Sequence, residues 1–280
     1  MLAALVAKQY LLEMDALSKG NPEVTGEINL VWCLSGRTTV IGNHSTSDQK
    51  LIDSRIKETG GKETADKNVI DPTDDIERLR LAIKIAAKAN CKVVYNGTIG
   101  ENEDLYKFLD FCNHCENNGQ LKDNKIFEYL SSNYEPNEVY AIIKEFKDAS
   151  ENITIIYGQT AEDSKDKVKE GDDIVNSLHQ VRSFSAYIKK HPDIKQAACV
   201  SSAFHLPRVA RSITKNQEVL FKNMQFQLHG IDLEYKKPGT KEFDMKSEPV
   251  AIKNYSENGS ISFMAGSGVK WSAQKSLNKT

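Results

Sequence analysis

Cys199-Val200-Ser201-Ser202-Ala203-Phe204-His205-Leu206-Pro207-Arg208 joins two kinds of pattern. Upstream, the apolar run 197–200 reads as a buried strand. Downstream, Val209-Ala210-Arg211-Ser212-Ile213 has helical spacing. Between them lie two small hydroxyls, a histidine and an arginine. Open α/β sheets place ligand contacts where a parallel strand ends and turns into a helix. Pro207 suits the first turn of that helix, where its missing N–H would have no intrahelical partner. His205 and Arg208 then sit at or beside the positive helix N-terminus, where an anion is favoured.

Outward from this turn, apolar runs and helical spacings alternate. Residues 28–34, 91–95, 153–157 and 225–231 read as further strands. Helical patterns cover 1–20, 71–90, 102–116, 123–130, 135–149, 172–190 and 209–215. Strand–helix alternation requires β-α-β crossovers and hence a mostly parallel sheet. Residues 225–231 alternate, while the other strand runs read as continuous apolar stretches, as in parallel strands covered on both faces. The expected fold is therefore α/β, a Rossmann-like three-layer α/β/α sandwich with a mostly parallel central sheet. It occupies residues 28–235, with a helical insertion at 117–150. Residues 1–27 form a helical extension. Residues 236–280, rich in Lys, Ser, Gly and Asn, read as a poorly ordered or peripherally docked tail.

A chain of 280 residues suffices for one large α/β domain. Lys+Arg 37 against Asp+Glu 39 leaves a formal charge of −2, so the balance gives no reason to expect nucleic acid. The apolar opening Met1-Leu2-Ala3-Ala4-Leu5-Val6-Ala7 stops at Lys8. It is too short to span a bilayer and lacks the marks of a signal peptide. No later run reaches transmembrane length, so a soluble, cytoplasmic protein is expected. Of five cysteines, Cys33, Cys91 and Cys199 fall in or beside strand runs, which fits reduced, buried thiols. Cys112-Asn113-His114-Cys115 has zinc-like spacing, but no second ligand pair follows and the segment lies in a helical pattern, so no metal is expected.

The order strand, small hydroxyls, aromatic-His-aliphatic-Pro-Arg in 199–208 resembles the last motif of the YdcF/SanA/ElyC-like family, a widespread bacterial group of mostly undefined activity. The resemblance extends over about residues 28–231. It implies a Gly-containing loop after the first strand, met here by Ser35-Gly36-Arg37. After the second strand the family has Ser-Gly-Gly, where this chain has Asn96-Gly97-Thr98. Glu103 fits the family's acidic residue in the next helix. The family's Thr-x-Glu-Asn has its best match at Asp173-Ile174-Val175-Asn176, where Val175 replaces the glutamate and removes that proton-transfer group. Glu162, Asp163 and Glu170 in the preceding loop are the candidates to stand in for it. By resemblance alone, S-adenosylmethionine is a possible cofactor, and relatives are linked to bacterial envelope metabolism.

The chemistry of these residue types supports a site. His205 is a general acid/base or a phosphate hydrogen-bond donor, since its ordinary pKa of about 6.5 permits either. Arg37 and Arg208 offer planar, bidentate recognition of phosphate or carboxylate, and Gly36 allows close backbone approach. His205, Arg208 and Glu103 are thus the catalytic candidates, with Gly36, Arg37, Gly97, Thr98, Asn176, Ser201 and Ser202 for ligand binding. The structural alternative has His205 bonded to a carbonyl and Arg208 paired with Glu103 or Asp173. Glu103 serves equally as a helix-dipole carboxylate.

The chain has no Walker loop, dinucleotide Gly-x-Gly-x-x-Gly, His-Glu-x-x-His or Gly-x-Ser-x-Gly elbow, and nothing in it pairs a serine or cysteine nucleophile with a placed base. The function expected is binding of an anionic or nucleotide-like small molecule, as a hydrolase or transferase on a phosphate-containing substrate. The alternatives are a catalytically inactive ligand-binding or protein-interaction module, with the insertion and tails as partner surfaces, and an S-adenosylmethionine-binding protein.

Overall fold

Leu30, Trp32 and Leu34 enter one hydrophobic core, Val31 and Cys33 another, and all five are buried. A strand with no wet face needs helices on both sides of its sheet. The computed structural model describes residues 2–19, 27–35, 73–97, 99–115, 124–158, 177–231, 240–266 and 269–274. Within them, β1 (Leu30–Leu34), β2 (Lys92–Gly97), β3 (Ile153–Tyr157), β4 (Gln196–Ser202), β5 (Gln225–Ile231) and β6 (Val269–Gln274) form one sheet in the order β3-β2-β1-β4-β5-β6. Every pairing is parallel. The fold is a Rossmann-like three-layer α/β/α sandwich. Its strand order reverses between β1 and β4, which pair from Leu30–Ala197 to Cys33–Val200. Such a reversal leaves a crevice beyond the carboxyl ends of the strands, where open α/β sheets bind ligands.

One face carries α2 (Thr73–Ala89), α3 (Ile99–His114), α4 (Lys125–Asn133) and α5 (Pro136–Ala149). Ile76, Leu79, Phe108 and Phe146 from these helices meet Val31, Val93, Tyr95 and Val200. The other face carries α6 (Ser177–Lys189) and α7 (Leu206–Leu220). There Phe184 stacks on Trp32 with ring centroids 4.3 Å apart, and Phe226 meets Trp32 edge-on at 6.4 Å. At the β6 side, α1 (Leu2–Lys19) packs on α8 (Thr240–Glu257). Val6, Tyr10, Ile252 and Ile261 form their contact.

The described part of the segment 236–280 is regular structure docked at one edge of the sheet. It supplies α8 and the edge strand β6, paired with β5 from Phe226–Val269 to Ile231–Gln274. Its sequence hides this because β6, Val-Lys-Trp-Ser-Ala-Gln, has no apolar run and α8 contains Pro249. In α1, Leu5 and Leu12 are 64% and 55% exposed, whereas Val6, Tyr10 and Glu13 are buried, because the helix turns its face to α8 and α7. The helical insertion is core: Leu130, Val139, Ile142 and Phe146 join the cluster of α2 and α3.

The β5 strand also buries His229, 2% exposed. Burial lowers its pKa from the ordinary 6.5 to about 4, so the folded protein holds it neutral. In the unfolded chain the ring protonates near its ordinary value, so between these pH values the unfolded state binds more protons. The stability it contributes is complete above about pH 6.5 and is lost as pH falls toward about 4, at no more than about 1.4 kcal/mol per pH unit. Urea unfolding across this window should show that slope, and His229→Gln should remove that part of it. An identical slope in the variant would refute the assignment.

Candidate functional site

The extra two residues of β4 decide where the hydroxyls go. Ser201 and Ser202 are both in the strand and both buried. Successive side chains of a strand point to opposite faces, so the pair is split across the sheet. Ser201 lies on the α6–α7 face, where its Oγ is 3.1 Å from His205 Nδ1. The other ring nitrogen, Nε2, is 2.7 Å from Ser177 Oγ. His205 is held in the turn by its amide, which donates to the Ser202 carbonyl at 3.0 Å. Gly230 makes room for this turn: a Cβ there would come within 3.0 Å of Ala203 Cα.

Ser177 is the first described residue of α6, and Leu206 opens α7 with His205 as its N-cap, so a positive helix end lies beside the imidazole. With the proton on Nδ1, the ring donates to Ser201 and accepts from the Ser177 hydroxyl. A hydroxyl hydrogen-bonded to a base that a third group orients is the arrangement of an activated nucleophile. Ser177 is buried and His205 half-buried. A second polar group fixes α6 one turn further on. Gln180 Nε2 donates to Ser35 Oγ and to the Asn96 carbonyl, both at 2.9 Å, and Asn96 Nδ2 donates to the Gln180 carbonyl at 2.9 Å. The carboxyl ends of β1 and β2 are thereby tied to the helix that presents Ser177.

Ser202 serves a different network on the opposite face. Its Oγ accepts from Arg78 Nε at 3.1 Å and Nη2 at 2.7 Å. Arg78 is ion-paired with Asp75, whose other oxygen accepts from the Tyr95 hydroxyl at 2.9 Å. Burial, with the Asp75 carboxylate adding to it, pushes the Cys33 thiol far up, and burial does the same for Cys199. Neither is a thiolate nucleophile.

Arg208 is not a free anion clamp. Its Nε and Nη2 each donate at 2.9 Å to the two carboxylate oxygens of Glu248, a buried bidentate pair. Its guanidinium lies 5.9 Å from the centre of the Tyr255 ring. The partner comes from α8, and among the described residues Glu103 does not fill that role. Glu103 is exposed on α3, across the sheet from His205, and makes no hydrogen bond or ion pair among the described residues. Gly97 ends β2 in a buried position, its carbonyl accepting from the Gly158 amide at 2.8 Å. Gly36, Arg37, Thr98, Asp173, Val175 and Asn176, with Glu162, Asp163 and Glu170, lie outside the described residues.

Of the expected site residues that are described, the fold brings Ser201 and His205 into contact and assigns Ser202 and Arg208 to separate structural networks. Sequence reasoning missed Ser177, and with it the pairing of a serine with a placed base. Ser177 falls inside the helical pattern at 172–190, its partner stands 28 residues away, and only the crossover topology joins them. Gln180, Asp75 and Arg78 were missed for the same reason. In comparisons with protein-family models, with curated proteins and with solved structures, nothing matches the chain.

The Arg208–Glu248 pair generates a stability prediction. Arg208→Met leaves Glu248 buried without its partner and should cost about 3–5 kcal/mol in chemical denaturation. Adding Glu248→Leu should recover most of that loss. Wild-type stability in the single variant would show that the pair does not hold α8 to α7.

Proposed function

We propose that this chain is a YdcF-like enzyme acting on a small anionic or nucleotide-like molecule that contains phosphate, as a hydrolase or a transferase, with Ser177 as nucleophile and His205 as base. One observation carries the reading: the His205 ring stands between the Ser177 and Ser201 hydroxyls, at 2.7 and 3.1 Å. In the first step the Ser177 Oγ–phosphorus bond forms while His205 Nε2 takes the hydroxyl proton. The bond from phosphorus to the leaving oxygen breaks, and that oxygen takes the proton from the imidazolium. Water, or the hydroxyl of an acceptor molecule, then gives its proton to His205 and bonds to phosphorus. Ser177 Oγ leaves and recovers the proton. Negative charge developing on the phosphoryl oxygens faces the amino end of α7, where oriented N–H dipoles favour it.

Gly36, Arg37, Thr98 and Asn176 adjoin Ser35, Gly97 and Ser177 in the chain, and this reading keeps them as the residues that hold the anion. The reading is of a cytoplasmic enzyme. All five cysteines are free, and no described helix is long and apolar enough to cross a membrane. The rival reading, a ligand-binding or protein-interaction module without turnover, draws on Arg208 being engaged by Glu248. S-adenosylmethionine binding is the weaker alternative, since β2 ends in Asn96-Gly97 without an acidic residue.

A thermal-shift screen against nucleotides, S-adenosylmethionine, sugar phosphates and polyprenyl phosphates identifies the ligand class. Against a phosphate compound that raises Tm and is turned over, Ser177→Ala and His205→Gln should each lower kcat by about a hundred- to ten-thousandfold while the Tm shift survives. Full turnover in both variants would sink the assignment. A Tm shift with no turnover in the wild type would favour the module.

A further inference from the structure

Ser177 reaches His205 only if α6 stands at one rotation about its own axis. A side-chain atom about 4 Å from a helix axis moves about 1 Å for a turn of about 15°. That displacement takes the 2.7 Å contact between Ser177 Oγ and His205 Nε2 out of hydrogen-bonding range. The apolar side of α6 does not fix the rotation so closely. Val181, Phe184 and Ile188 are buried in the core, but the burial of apolar surface is non-directional.

The polar contacts of α6 are directional. Three residues after Ser177 and on the same side of the helix, Gln180 is 5% exposed. Its Nε2 donates to Ser35 Oγ, just beyond β1, and to the Asn96 carbonyl in β2, while Asn96 Nδ2 donates back to the Gln180 carbonyl, all at 2.9 Å. One turn on, the Ser183 hydroxyl donates to the carbonyl of Tyr157, the last residue of β3. The helix is thus held to the carboxyl ends of three neighbouring strands.

Core stability alone does not call for this arrangement. A buried polar side chain at position 180 is unfavourable unless its bonds are made, whereas methionine or leucine would pack there without that requirement. Asn96 is 0% exposed, and its Oδ1 has no hydrogen-bond partner among the described residues. An unmet buried acceptor is unfavourable as well. Departures of this kind from an all-apolar core are expected where function needs a fixed geometry. Ser35 and Asn96 also directly precede Gly36 and Gly97 in the chain, so the same bonds join the nucleophile to the strand ends from which the expected anion-holding loops leave.

We infer that Gln180 is a positioning residue for the Ser177–His205 pair: through Ser35 and Asn96 it sets the rotation of α6 that puts Ser177 Oγ on His205 Nε2. It acts through the helix and takes no part in the chemistry itself. The inference rests on the reading of Ser177 as nucleophile and His205 as base, and the test separates the two claims.

The readout is the nitrogen-15 resonance of His205 Nε2 in the full-length, histidine-labelled protein, assigned by its loss in His205→Gln. Ser177→Ala defines where that resonance lies without the serine bond. Gln180→Met keeps the length of the side chain and removes its donors, and it should move Nε2 most of the way to that position. Ser35→Ala deletes one bond of the set. It should move Nε2 in the same direction by less, and it carries the test if Gln180→Met does not fold. Phe184→Leu weakens the stacking of α6 on Trp32 and is the control for a merely structural role. It should lower the urea midpoint and leave Nε2 at its wild-type position. An Nε2 unmoved in Gln180→Met, or moved as far by Phe184→Leu, would overturn the positioning role with the Ser177–His205 bond standing. An Nε2 indifferent to Ser177→Ala would overturn both claims.

Discussion

The structure depends on one constraint: a parallel strand buried on both faces has no neutral position, so every side chain belongs to one layer or the other. In β4 the alternation sends Ala198, Val200 and Ser202 toward α2, and Ala197, Cys199 and Ser201 toward α6 and α7. Two adjacent serines with similar chemistry thus acquire unrelated tasks. Ser202 satisfies the Arg78–Asp75–Tyr95 network, which closes one face of the sheet edge. Ser201 reaches His205, whose ring reaches Ser177. A one-residue slip in β4 would exchange the two sets, so the site is tied to the same register that fills the core.

The ends of the chain are joined to the site through α7. Arg208 and Arg211, one turn apart on that helix, pair with Glu248 of α8 and Glu13 of α1. Arg211 is fully buried and also donates to the Pro207 carbonyl at 2.8 Å. The Tyr10 hydroxyl donates to the carbonyl of Phe204, the residue before His205, at 3.2 Å. Buried ion pairs add little net stability compared with apolar packing, because both charges leave water. Here they tie α1 and α8 to the same turn of α7. Through that docking the C-terminal segment becomes both a sixth strand and the outer wall beside Ser177.

How much of this the sequence disclosed follows from the range of each interaction. β3 was legible to the residue because its apolar run ends at turns, and β5 because Phe226, Leu228 and Ile231 punctuate a polar stretch. The turn from β4 into α7 was legible because Ser201, His205 and Pro207 are near neighbours. β6 was not, since its place is set by main-chain pairing with β5 and not by its own side chains. Arg208 was read as available because its partner lies 40 residues on, in a segment whose composition suggested disorder. Ser177 was invisible for a related reason. The base near it in the chain is His179, two residues on, and only the crossover from β3 to β4 sets Ser177 against His205.

The proposed chemistry requires a hydrogen bond from the Ser177 hydroxyl to His205 Nε2. Nitrogen-15 NMR of the imidazole, in protein labelled at histidine, reports each ring nitrogen separately. At neutral pH the account predicts a protonated Nδ1 and an unprotonated, acceptor-type Nε2 whose resonance moves in Ser177→Ala. A protonated Nε2, or an Nε2 resonance indifferent to the loss of the Ser177 hydroxyl, would contradict it.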